Sequence, residues 1–188
     1  MSDRLYLSCW VRGFNGANML RHFEKMLGLF PFSKLSKRGP EIRVYAIEHA
    51  EPPVIDREFP PGVEPSALIA AAREFMHDDC ASEASAAWDL WQFNGDWKLA
   101  PAEVILSCFG PAFDNELGDH LRIEFGLDAH FIPDPDLEGS PRMVESNLKS
   151  LLHLVRDVEQ ILPLDRRRLW SESGVNPADL IAEVMRPQ

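Results

Sequence analysis

Long apolar runs are missing from this chain: no stretch approaches the ~20 residues that a bilayer-crossing helix requires. Cysteine is scarce and odd in number, three in 188 residues without framework spacing. That pattern excludes a disulfide scaffold and predicts free thiols in a reducing compartment, by default the cytoplasm. Basic residues are in deficit, with 19 Lys and Arg against 30 Asp and Glu and a formal net charge of −11. A nucleic-acid binder presents excess cations to phosphates, so this balance argues against one. Two short basic clusters, SKLSKRGPEIR over 33–43 and RRR at 166–168, read as solvated loop charge. The opening MSDRLYLSCW lacks the basic, apolar, small order of a secretory signal. No G-x-S-x-G, Walker loop or dinucleotide fingerprint occurs, so the chemistries those motifs carry are not indicated.

What is present is an ordinary globular composition, 45% hydrophobic and 26% charged, long enough to bury a core as a single α+β domain over 1–188. Leu5, Leu7, Cys9 and Val11 alternate with Tyr6, Ser8 and Trp10, which predicts a first strand. Asn15 then reads as the N-cap of a helix carrying Met19, Leu20, Phe23, Met26 and Leu27 at helical spacing. Ile42, Val44 and Ala46 mark a second strand. EPPVIDREFPPGVEP (51–65) reads as a connection too proline-dense for helix or central strand. Pro65 opens a second helix, which the alanine-rich ASEASAA extends nearly to Trp88.

Asn94-Gly95 between DLWQF and DWKL predicts a β-hairpin with a type I′ turn, Gln92 or Phe93 pairing with Trp97 or its neighbour. The following strand is expected to break at Pro101 and resume over 103–109. Period two from Leu121 to Phe131 predicts one long strand. Ser140 is expected to cap a long helix with Val144, Leu148, Leu151, Val155, Val158 and Leu162 as its seam, and Asn176-Pro177 to open a short terminal one. The order β-α-β-α-β-β-β-α-α implies an antiparallel or mixed sheet with helices mainly on one face. It resembles a ferredoxin-like sandwich or a duplicated ferredoxin-like half, a likeness of fold that carries no function. LSCW at 7–10 and LSCF at 106–109 repeat one phrase, read either as two equivalent central strands or as coincidence.

Cys9 and Cys108 alternate with aliphatics and read as core; Cys80 sits in the more exposed setting, beside Asp78 and Asp79. Glu74 and His77 form one E-x-x-H, which a solvated helix face explains without a di-iron centre. The tryptophans Trp88, Trp91 and Trp97 read as hairpin packing. The second sheet face is the candidate binding surface: strand parity gathers Tyr6, Ser8, Trp10, Arg43, Tyr45, Ser107 and Phe109 on it. The reading favoured there is a homo-oligomer interface, since Tyr, Trp and Arg are enriched in interfaces, with a small-molecule ligand as the other occupant and neither nucleic acid nor membrane expected. An enzyme using the same face is the alternative, with Arg122 orienting an anionic substrate and Glu124 or His130 moving a proton. DPDLEGSPRMVE (134–145) resembles an EF-hand calcium loop, with Asp134, Asp136, Glu138 and Glu145 at ligand positions. A turn followed by a capped helix explains the same residues, so no cofactor or metal is favoured.

Overall fold

A computed structural model describes residues 3–172 and 174 of the chain. Its strands are β1 (Arg4–Val11), β2 (Glu41–Ala46), β3 (Ile55–Glu58), β4 (Cys80–Phe93), β5 (Trp97–Phe109), β6 (Leu121–Leu127) and β7 (Leu164–Ser171). The helices are α1 (Met19–Leu29), α2 (Pro65–Arg73) and α3 (Ser140–Ile161). The strands form one seven-stranded sheet in the order β3-β2-β4-β5-β6-β1-β7. Every pairing is antiparallel. The architecture is α+β, and its sheet is larger than a simple ferredoxin-like one.

Alternation decides the two faces. Leu5, Leu7, Cys9 and Val11 join Ile42, Val44, Leu106, Leu121, Ile123 and Phe125 in the main core, together with the buried stripes of α1, α2 and α3. The opposite parity forms the open face, with a smaller cluster of Ala81, Phe109 and Phe113 at one end. α3 is fixed to the sheet by a buried side chain: Asn147 accepts from the Trp91 N–H at 2.8 Å and donates to the Trp91 and His130 carbonyls, each at 2.8 Å.

The repeated phrase has a geometric answer. Leu7, Ser8 and Cys9 pair with Ile123, Arg122 and Leu121 of β6. On the other side of β6, Leu106, Ser107 and Cys108 pair with the same three residues. The two copies therefore flank one central strand in identical register.

Several expectations change. ASEASAA is strand, not helix: α2 ends at Arg73 and β4 begins at Cys80, with Ala84 and Ala86 buried beneath the helices. Glu74 and His77 consequently lie beyond the helix, and Glu74 holds Arg57 through two bonds of 2.8 Å. β3 and β7 occupy the two sheet edges within segments read as connection and loop. β5 runs unbroken through Pro101, which pairs with Asp89. There β5 has no second neighbour, because the ladder to β6 spans Ile105 to Cys108, so the missing N–H leaves nothing unpaired. The hairpin pairs Phe93 with Trp97, but its loop has three residues and only Gly95 has positive φ (76°). β6 stops at Leu127, after Gly126 at φ 76°, where a Cβ would press on the Glu103 carbonyl at 3.3 Å. α1 begins after Asn18, with Asn15 instead accepting from the N–H groups of Ala17 and Asn18. α3 follows Gly139 at φ 80°, and the Ser140 hydroxyl accepts from the Asp134 N–H at 2.9 Å. The terminal helix expected from Asn176 lies outside the described residues.

Candidate functional site

Pairing lines up the open face in rows across the sheet. One row reads Arg43, Glu83, Ser107, Arg122, Ser8 and Arg168. The next reads Glu41, Ser85, Ile105, Glu124, Tyr6 and Trp170. One row further along, Tyr45, Ala81 and Phe109 pair in line, as do Trp10 and Arg166. All seven expected binding residues, with Arg122 and Glu124, therefore share this face, although Tyr6, Ser8, Ser107 and Phe109 are buried in it. His130 does not. It ends a 3-10 turn (Asp128–His130) after β6, and its Nδ1 is buried without a partner among the described residues.

The β7 side is built from stacked rings. Tyr6 and Trp170 stack at 4.4 Å between centroids, and the Trp170 indole N–H donates to the Ser8 hydroxyl at 3.0 Å. The Tyr6 hydroxyl donates to Glu172 at 2.9 Å. Burial and that carboxylate push the Tyr6 phenol up to about 12. Arg166 lies over the Trp10 ring at 3.8 Å and Arg168 beside Trp170 at 5.9 Å, so these guanidiniums lean on rings rather than carboxylates.

Centrally, Arg122 is committed. It donates to Asp119 from Nε at 2.8 Å and from NH2 at 2.6 Å, and its guanidinium covers Phe109 at 4.7 Å. Glu124 pairs with Arg4, while burial holds its carboxyl above the usual range. At the other end His49 approaches Glu83 at 3.1 Å and packs against Tyr45 and Phe113 at 4.9 Å each. Arg43 bridges Glu41 at 2.6 Å and Asp56 at 3.5 Å. A groove of about 570 Å³ opens beside the lower rows, with Ser85 and Ala87 in its floor and Arg38, Glu58 and Pro61 in its walls. The small residues of ASEASAA make that floor.

The charges divide by half. Glu41, Asp56, Glu58, Glu83 and Glu103 stand on the β3-to-β5 side around Arg43; Arg4, Arg122, Arg166 and Arg168 stand on the β6-to-β7 side with Glu124 and Glu172. Residues that the sequence left out of the site are His49, Glu83, Asp119, Arg166, Arg168 and Trp170. A period-two reading of DRRRLWS would have found the last three, since Arg166, Arg168 and Trp170 alternate.

The remaining chemistry is spoken for. All three cysteines are buried, Cys80 included, and burial raises each thiol, Cys9 to about 12. None is poised as a thiolate. Among the described residues no group of acids, histidines or cysteines is arranged to hold a metal. In the acidic loop Asp134 accepts from the Asp136 N–H at 2.9 Å, the Glu138 carbonyl accepts from the Trp97 indole at 2.8 Å, and Glu145 pairs with Lys149 at 2.7 Å. Among the described residues no helix is long and apolar enough to cross a membrane. No family model, curated protein or solved structure matches the chain.

Proposed function

We propose that this protein is a self-associating domain whose open sheet face receives the same face of a second copy. The observation that carries the reading is the division of that face into an acidic half and an arginine-bearing half. A two-fold axis parallel to the strands lays β7 of each copy over β3 of the other and each row over itself, setting Arg168 opposite Asp56 and Trp170 opposite Glu58. An axis across the strands would set acid on acid, so charge selects the first arrangement. Trp10, Tyr45 and Trp170, each half-buried, supply ring surface between the charges, as interface cores do. The commitment of Arg122 to Asp119 and of Glu124 to Arg4, together with the removal of His130 from the face, favours binding over acid–base chemistry there.

Sedimentation equilibrium of the full chain decides it. A dimer at micromolar concentration is expected, weakened by salt as a charge-paired interface should be. Among arginine reversals, Arg168→Glu should leave a monomer, and adding Asp56→Arg to the same chain should restore the dimer. A wild-type monomer at about 100 μM, or a dimer indifferent to the Arg168 reversal, overturns the reading.

A further inference from the structure

The corner where β2 ends holds an apolar cleft of about 530 Å³, separate from the lower groove. Its walls are Ile47, 61% exposed, and Phe75, 41% exposed, with Phe75 set edge-on to His77 at 5.2 Å. Asp78 and Asp79 stand at its rim. Ile47 has φ 71° and is the described non-glycine residue on the positive side. Both of its backbone groups are tied: its N–H donates to the Asp79 carbonyl at 2.7 Å, and its carbonyl accepts from the Asp114 N–H at 3.0 Å. The β-branched side chain is thus held outward in a costly conformation, with most of its surface in water.

A counterpart stands at the other end of the same strand. The loop entering β2 carries Leu35, 51% exposed, between the exposed cations Lys34, Lys37 and Arg38. Asp89 fixes that tip, accepting from the Ser33 hydroxyl and from the N–H groups of Lys34 at 2.9 Å and Leu35 at 3.3 Å. The Ser33 hydroxyl in turn accepts from the Ser36 N–H at 2.8 Å. Knob and cleft are each pre-organised, one apolar with a basic collar and one apolar with an acidic rim. They sit at opposite ends of β2, so one chain cannot fill its own cleft.

We infer that Leu35 of one copy seats between Ile47 and Phe75 of the next, with its flanking lysines beside Asp78 and Asp79. The contact is head-to-tail, so repetition yields a line or a ring. It uses none of the open-face residues and stands whether or not that face pairs.

The test is complementation, made in chains also carrying Trp10→Glu to remove any face contact. By sedimentation velocity the parent should grow beyond a monomer as concentration rises toward about 100 μM, and growth should fall with salt. Leu35→Asp keeps the cleft and loses the knob; Phe75→Asp does the converse. Both positions are exposed, and each variant alone should associate about tenfold more weakly or not at all. Mixed in equal amounts, the two should form a capped one-to-one dimer. A parent that stays monomeric, association indifferent to either substitution, or a mixture that remains monomers overturns the inference. So does selective binding at the cleft of a basic leucine-containing peptide by a chain that never self-associates, since the occupant is then another protein.

Discussion

A β-branched residue in the left-handed region costs about 1–2 kcal/mol relative to glycine, and Ile47 returns little of that through packing. Ile47→Gly should therefore raise stability by about 1 kcal/mol in urea unfolding. The same substitution removes one wall of the cleft, so self-association should weaken as stability rises. A loss of stability would mean that the isoleucine side chain packs in a way its exposure does not suggest. The nearby glycines are constrained differently. Gly110 would drive a Cβ to 2.4 Å from the Asp78 carbonyl, so at that position close approach, rather than a special φ, requires glycine.

At the scale of elements, β4 shows both what the sequence made legible and what it hid. Clean alternation of large apolar residues revealed β1, β2 and the first part of β6. In β4 the inward positions Cys80, Ser82, Ala84 and Ala86 are as small as the outward Ala81, Ser85 and Ala87, so periodicity had no contrast to register and alanine's helical propensity prevailed. The tertiary cause is the layer above: small side chains let helices approach the sheet. β7 was hidden by its arginines, which suit an edge strand because charge there discourages unwanted pairing. β3 was hidden by the proline pairs that bound it. The candidate face was legible as a parity set, whereas its polar contacts depend on Asp119 and His49, which no local pattern brings to it. Asn147 is a further such case, a helix residue standing in for a neighbouring strand. Asn147→Ala leaves the Trp91 N–H without that acceptor, and a cost of about 2–3 kcal/mol is expected. Amide exchange should also quicken at Trp91 while the far end of β4 stays protected; unchanged exchange at Trp91 would contradict this role.

The whole molecule should respond to acid. Burial lowers the titration of His22, His120 and His130 below their ordinary 6.5, with Arg21 and Lys25 adding to the effect at His22. The unfolded chain then binds protons that the folded one refuses. Stability is held above pH 6.5 and lost as the pH falls from there toward the depressed folded values. Glu124, raised above 4.5, contributes the opposite slope, because its folded form takes up a proton before the unfolded one. Urea unfolding from about pH 7.5 to about pH 5.5 should show a declining free energy, less steep in His22→Gln and His130→Gln. A flat or rising profile would contradict the burial of these rings as neutral groups.

The doubled Leu-Ser-Cys phrase also bears on how the chain finds its fold. β6 meets the same three residue types on each side, so alignment alone does not tell it which neighbour belongs where. Connectivity does: β5 lies just upstream, within a short loop of β6, while β1 must close a span of about a hundred residues. The near strand can take its place first, and the distant copy is then left the only edge still vacant. Two equal claimants are thereby sorted by time of arrival, a distinction that the finished sheet no longer records.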